Sequence, residues 1–137
     1  MRKFVLAGIC LVAAPLAFLP QVVAQDAAAD EAAQLADLMD AGEGLYQDNC
    51  AACHGPGGEG VVGPNLHGNE VVQSRSSLGA QILWGYPVHG MPPFAANLDD
   101  EEIAAIATFV RNSWGNDYGL VTAEQVARYR ERGEAAG

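Results

Sequence analysis

The chain has 137 residues, with 17 acidic and 7 basic side chains for a formal charge of -10, and half of it is apolar. That length holds one small domain, and the apolar share excludes a disordered chain. The charge argues against nucleic-acid binding, which needs Lys and Arg to displace counterions from phosphates, and the same sign disfavours anionic membrane surfaces.

Met1-Arg2-Lys3 is a basic start, Phe4 to Leu19 is apolar apart from small residues, and Val22-Val23-Ala24 suits cleavage after Ala24. Residues 1–24 therefore read as a secretory signal peptide, placing the protein in the periplasm with no stable membrane insertion after cleavage. The alternative is a retained anchor, since a bilayer span needs about 20 apolar residues; Pro15, Pro20 and Asp26 count against it. Cleavage leaves five arginines, no lysine and all 17 acids.

Residues 25–41 form an acidic, Ala-rich leader in which Leu35, Leu38 and Met39 give a weak helical stripe; it reads equally well as a mobile segment. The main domain is expected over 42–119. A short helix leads into Cys50, and the Gly-rich run from Gly55 to Pro64 can only be loop. Ser74 to Gly85 predicts a helix capped by Ser74, Ser76 or Ser77, with Leu78, Ile82 and Leu83 inward and Gly85 as its stop. Pro87, Pro92 and Pro93 keep Tyr86 to Phe94 as loop.

The strongest helix signal follows. Asp99 and Glu102 form a capping box ahead of a stripe at Ile103, Ile106, Ala107, Val110 and Trp114, with Arg111 suited to the C-terminal dipole. Thr122 and Gln125 repeat the capping pattern and open a tail helix over 120–137, with Val126 and Tyr129 on one side. Arg128, Arg130 and Arg132 in that tail read as a solvated face.

Cys50-Ala51-Ala52-Cys53-His54 is the pattern that attaches a c-type haem: two thiols add to the two vinyl groups, and the adjoining imidazole reaches the iron. A thioredoxin-like dithiol needs a βαβ context that is missing here, and a structural zinc site needs four ligands. A simple disulfide across so short a loop gains little closure entropy and leaves His54 without a role. A body of about 80 residues also needs a staple beyond its side-chain core, and one covalent haem would supply it.

The second axial position has four candidates: Met39, Met91, His67 and His89. Met91 is favoured because Gly90 permits close backbone approach and Pro92-Pro93 stiffen the loop around a weak thioether ligand. His89 would instead give a bis-imidazole iron of lower potential.

With these motifs in place the chain resembles a small class I cytochrome c of bacterial type. The resemblance rests on Cys50-Ala51-Ala52-Cys53-His54-Gly55, Gly63-Pro64-Asn65-Leu66, Gly90-Met91-Pro92-Pro93-Phe94 and Leu98 to Ile103 running into Phe109-Val110-Arg111-Asn112. It implies an all-α fold of three or more short helices and long loops around one covalent haem c. It implies thioether bonds from Cys50 and Cys53, axial ligation by His54 and Met91, and a Pro64 carbonyl that accepts from the far nitrogen of His54. It also implies that Gly42 and Tyr46 cross the helix carrying Ile106 and Phe109. Leu66, Trp84, Tyr86, Phe94 and Trp114 are candidates for the haem wall, though core packing accounts for them just as well, and Arg75 or Trp84 for a propionate contact.

The implied role is a periplasmic one-electron carrier and not an enzyme. Its partners would be redox proteins, with a periplasmic dehydrogenase as donor and an oxidase or reductase as acceptor. The alternatives are a cytochrome subunit of a quinoprotein or molybdenum dehydrogenase, and a haem enzyme or gas sensor with an open iron site.

Overall fold

A computed structural model describes residues 19–134, with side chains described for 25–133. The expected signal peptide falls mostly on residues outside the described ones. In chain order the helices are α1 (Leu19–Asn49), α2 (Ala51–His54), α3 (Glu70–Gln73), α4 (Arg75–Trp84), α5 (Asp100–Asn112) and α6 (Ala123–Glu134). Among the described residues a 3-10 turn covers Pro87–His89, and strand pairing occurs only at an isolated bridge between Tyr86 and Met91. The fold is all-α.

The leader and the first expected helix form one element. Ala, Asp, Glu and Gln dominate 25–41 and are compatible with helix, so nothing breaks the chain before Gly42. Gly42 is kept inside α1 by packing: a Cβ there would lie 2.7 Å from the Phe109 Cβ and against the Ala105 carbonyl. This glycine lets α1 cross α5 at close range, with Ala105 and Phe109 under it. One turn on, Tyr46 is fully buried, its ring 5.5 Å from that of Phe109.

Helix α5 is the spine of the core, and both halves of its capping box form: the Asp99 carboxylate accepts from the Glu102 amide and Glu102 returns the bond at 2.9 Å. Ile103 to Arg111 are all buried, because α1, α4 and α6 pack around the helix. The Ser74 hydroxyl caps α4 by accepting from Ser77, and Gly85 ends that helix at φ 68°. Thr122 and Gln125 form the reciprocal cap of α6, which buries Val126 and lays Tyr129 against Gly79.

One expectation about α5 is extended, since Arg111 lies in its last turn as expected and does more there, and one about α6 is corrected. Arg111 is 2 % exposed, and its guanidinium donates to the carbonyls of Val72, Gln73, Tyr118 and Gly119. It joins three segments through backbone acceptors, a larger task than complementing a helix dipole. The tail is not a plain solvated face either, since Arg130 is ion-paired to Asp100 at 2.8 Å.

Candidate functional site

A cavity of about 570 Å³ lies between the α1–α2 junction, α4, α5 and the loop around Met91. Its walls are mostly aliphatic and aromatic: Leu66, Val72, Leu78, Ile82, Phe94, Ile106 and Val110. That volume is in the range of sites that hold cofactor-sized molecules. Cys50, Cys53, His54, Pro64, Leu66 and Met91 all line it. Two thiols, an imidazole and a thioether therefore share one apolar chamber.

Local hydrogen bonding explains the placement of the first three. Helix α1 ends at Asn49, Cys50 still donates to the Tyr46 carbonyl at 2.8 Å, and the single turn of α2 sets Cys53 and His54 one turn further. The Gly-rich loop then folds back. The Cys53 carbonyl accepts from the amides of Val61, Val62 and Gly63, and Gly60 donates to the His54 carbonyl at 2.6 Å. His54 Nδ1 donates to the Pro64 carbonyl at 2.9 Å, which fixes the tautomer and leaves Nε2 with its lone pair. Gly63 lies so close that a Cβ would be 2.7 Å from the His54 Cε1. Only glycine leaves room for the ring.

Cys50 and Cys53 are free thiols. Burial, with Cys53 adding to it, pushes the Cys50 thiol up to about 12. A redox-active dithiol needs the opposite shift, towards thiolate at neutral pH. Burial likewise raises the Tyr46 phenol to about 12, and its hydroxyl donates to the Gly55 carbonyl at 2.6 Å.

Met91 sits in a loop closed by the bridge to Tyr86, where Tyr86 donates to the Met91 carbonyl at 2.9 Å. Gly90 is required for a reason other than close approach: it has φ 86° with open space around it. The close approach occurs at Gly85, where a Cβ would lie 2.6 Å from the Met91 carbonyl oxygen. Gln81 of α4 donates to the Met91 sulfur at 3.5 Å.

His89 also lines the cavity, its ring 4.5 Å from that of Tyr86. The remaining ligand candidates are elsewhere. His67 donates to the Gly57 carbonyl at 2.7 Å and stacks on Trp114, and Met39 packs on the core from α1.

Of the expected wall residues, Leu66, Tyr86 and Phe94 line the cavity. Trp114 is a correction: helix α5 stops at Asn112, Trp114 takes φ 56°, and its ring fills the space beside Tyr46, Phe109 and Gly58. Trp84 is another, packing against Gly133 of α6. Arg75 donates to the Leu120 carbonyl at 2.8 Å, a structural contact between α4 and the chain leading to α6.

Gln81 and Asn116 escaped the sequence reading, and Tyr46 was expected only at the helix crossing. Tyr46 and Gln81 line the cavity, and buried Asn116 holds the Leu66 carbonyl at 3.2 Å and the Val110 carbonyl at 2.9 Å. The one sequence signal for Gln81 is its polarity between the inward-facing Leu78 and Ile82.

Residues 37–110 match the family described as Cytochrome C oxidase, cbb3-type, subunit III. The chain is 36% identical over 107 residues to the cytochrome c subunit of alcohol dehydrogenase (quinone) of Gluconobacter oxydans, covering 68% of this chain and 22% of that subunit. It is 32% identical over 128 residues to the gluconate 2-dehydrogenase cytochrome c subunit of Pantoea cypripedii, covering 80% of this chain and 28% of that one. A cytochrome c-553-like protein of Synechocystis sp. is 33% identical over 72 residues, which is 53% of this chain and 66% of the relative. The chain thus spans about a quarter of the length of the dehydrogenase subunits it matches.

Proposed function

We propose, on the premise that this chain belongs to the c-type cytochrome family, that it is a periplasmic one-electron carrier with a single haem c. The observation that supports this best is the donor set in one apolar cavity: Cys50, Cys53, His54 and Met91. In this reading Cys50 and Cys53 would hold the haem through thioether bonds, and His54 and Met91 would be the groups that ligate its iron. A haem so held supplies a reversible one-electron couple, which thioether ligation poises higher than a second imidazole would.

The chain's own groups do the rest. The Pro64 carbonyl keeps the His54 ring oriented by accepting from Nδ1–H. Leu66, Leu78, Ile82, Phe94 and Val110 exclude water, lowering the reorganisation that each charge change demands. The Tyr86–Met91 bridge and Pro92-Pro93 hold the thioether loop in one geometry.

The test is the absorption spectrum of the oxidised, haem-loaded protein. A weak sulfur-to-iron band at the red end is expected, and Met91→Ala should abolish it and open the iron to carbon monoxide. A colourless matured protein, or a parent that binds carbon monoxide as readily as the variant, overturns the assignment.

A second reading is favoured by the matched cytochrome subunits of alcohol and gluconate dehydrogenases: the chain serves such an oxidoreductase as its cytochrome component. Copurification with a large catalytic chain supports it, and a protein that isolates alone and exchanges electrons in salt-sensitive encounters supports the free shuttle.

A further inference from the structure

The Tyr86–Met91 bridge shapes the loop around Met91, and the stretch that follows it is tied down separately on two sides. Pro92 and Pro93 offer no amide hydrogen, so on the α4 side the segment is held by Phe94 and Ala95, which donate to the carbonyls of Ile82 and Leu83. On its other side Arg130 of α6 bonds to it. Arg130 donates through Nη1 to the Ala95 carbonyl at 2.5 Å, through Nη2 to the Leu98 carbonyl at 3.0 Å, and through Nε to the Asp100 carboxylate at 2.8 Å. One planar guanidinium therefore ties the tail helix, the end of the Met91 loop and the first turn of α5 together.

Helix α6 lies beyond residues 37–110, the part that matches the family. A lysine could not replace the arginine, because three acceptors in a fixed fork require the planar group and an ammonium reaches one or two of them. Arg132, two residues on, bonds only within its own helix, to the Arg128 carbonyl.

We infer that Arg130 is a positioning residue for Met91, and that α6 locks the thioether loop across the cavity so that the sulfur is not displaced by other ligands. This rests on the proposed Met91 ligation. Loss of the fork leaves that stretch anchored on the α4 side alone, so Met91 yields to a competing ligand more readily.

The test is imidazole titration of the oxidised, haem-loaded full chain, alongside its red-end band. Arg130→Lys should keep the band yet bind imidazole about tenfold more tightly than the parent, as expected for losing one charge-assisted bond. Asp100→Asn, which retains an acceptor but not the charge, should shift affinity in the same direction by less. Arg132→Lys should titrate like the parent.

If Arg130→Lys fails to fold, Asp100→Asn decides the question. Parental imidazole affinity in Arg130→Lys, or in Asp100→Asn where that variant decides, makes the clamp a stability element only and overturns the inference, even if the melting temperature falls. A parent without the red-end band overturns the Met91 assignment and this inference together; a parent with the band and unresponsive variants overturns the inference alone.

Discussion

Gly42 and Gly44 lie two residues apart on α1, and alanine should act on them in opposite directions. Alanine favours a helix over glycine by about 1 kcal/mol. At Gly44, which is exposed and has nothing within 4 Å of a Cβ, that gain should appear nearly whole. At Gly42 the new methyl would lie 2.7 Å from the Phe109 Cβ and 2.8 Å from the Ala105 carbonyl carbon, and nearer still to its oxygen.

A backbone neighbour cannot rotate away as a side-chain tip can, and carbon contacts relax only near 3.5–4.0 Å, so α1 and α5 must part by on the order of 1 Å. Overpacking of this kind costs about 1–3 kcal/mol, and with backbone on the other side the upper end applies. After the helix gain is subtracted, Gly42→Ala should destabilise by about 2 kcal/mol and Gly44→Ala should stabilise by up to about 1.

At about 4 °C per kcal/mol for a domain of this size, the melting temperatures of the two haem-loaded variants should lie about 10 °C apart on either side of the parent. The separation also reaches the cavity, because Tyr46 sits one turn beyond Gly42 and binds the Gly55 carbonyl. A Gly42→Ala protein that melts at or above the parent would refute the close-crossing argument.

Arg111→Met should cost about 3–5 kcal/mol, because it strips the donors from the carbonyls of two segments, 72–73 and 118–119, that of Val72 being buried. Denaturant unfolding checks this, and a loss below 1 kcal/mol would mean that the clamp contributes little. The pH dependence follows from Tyr46, whose buried phenol has its pKa raised from 10.0 to about 12. A raised folded-state pKa gives stability that is complete below pH 10 and drains away as pH climbs to 12, by at most about 2–3 kcal/mol. In haem-loaded protein Tyr46→Phe should flatten that decline; parallel losses in parent and variant would exclude Tyr46 as its source.

What the sequence determines here is what neighbouring residues decide among themselves. The Cys50 to His54 pattern, the caps at Ser74, Asp99 and Thr122, and the prolines around Met91 each work within a few residues, so their chemistry can be read in order along the chain. Tertiary structure decides the rest. Gly42 and Gly44 share one letter, and only the laid-down α5 shows how tightly the first is enclosed and how open the second is. Arg111 and Arg130 look like surface or dipole charges, because their acceptors are backbone carbonyls, and a carbonyl has no letter of its own. Trp84 and Trp114 look like cofactor walls because aromatic rings suit that place, yet the directions of α4 and α5 send them to Gly133 and Gly58. Which ring or guanidinium meets which distant segment depends on how whole helices cross, and helix crossings are set by the summed packing of many residues far apart in the chain.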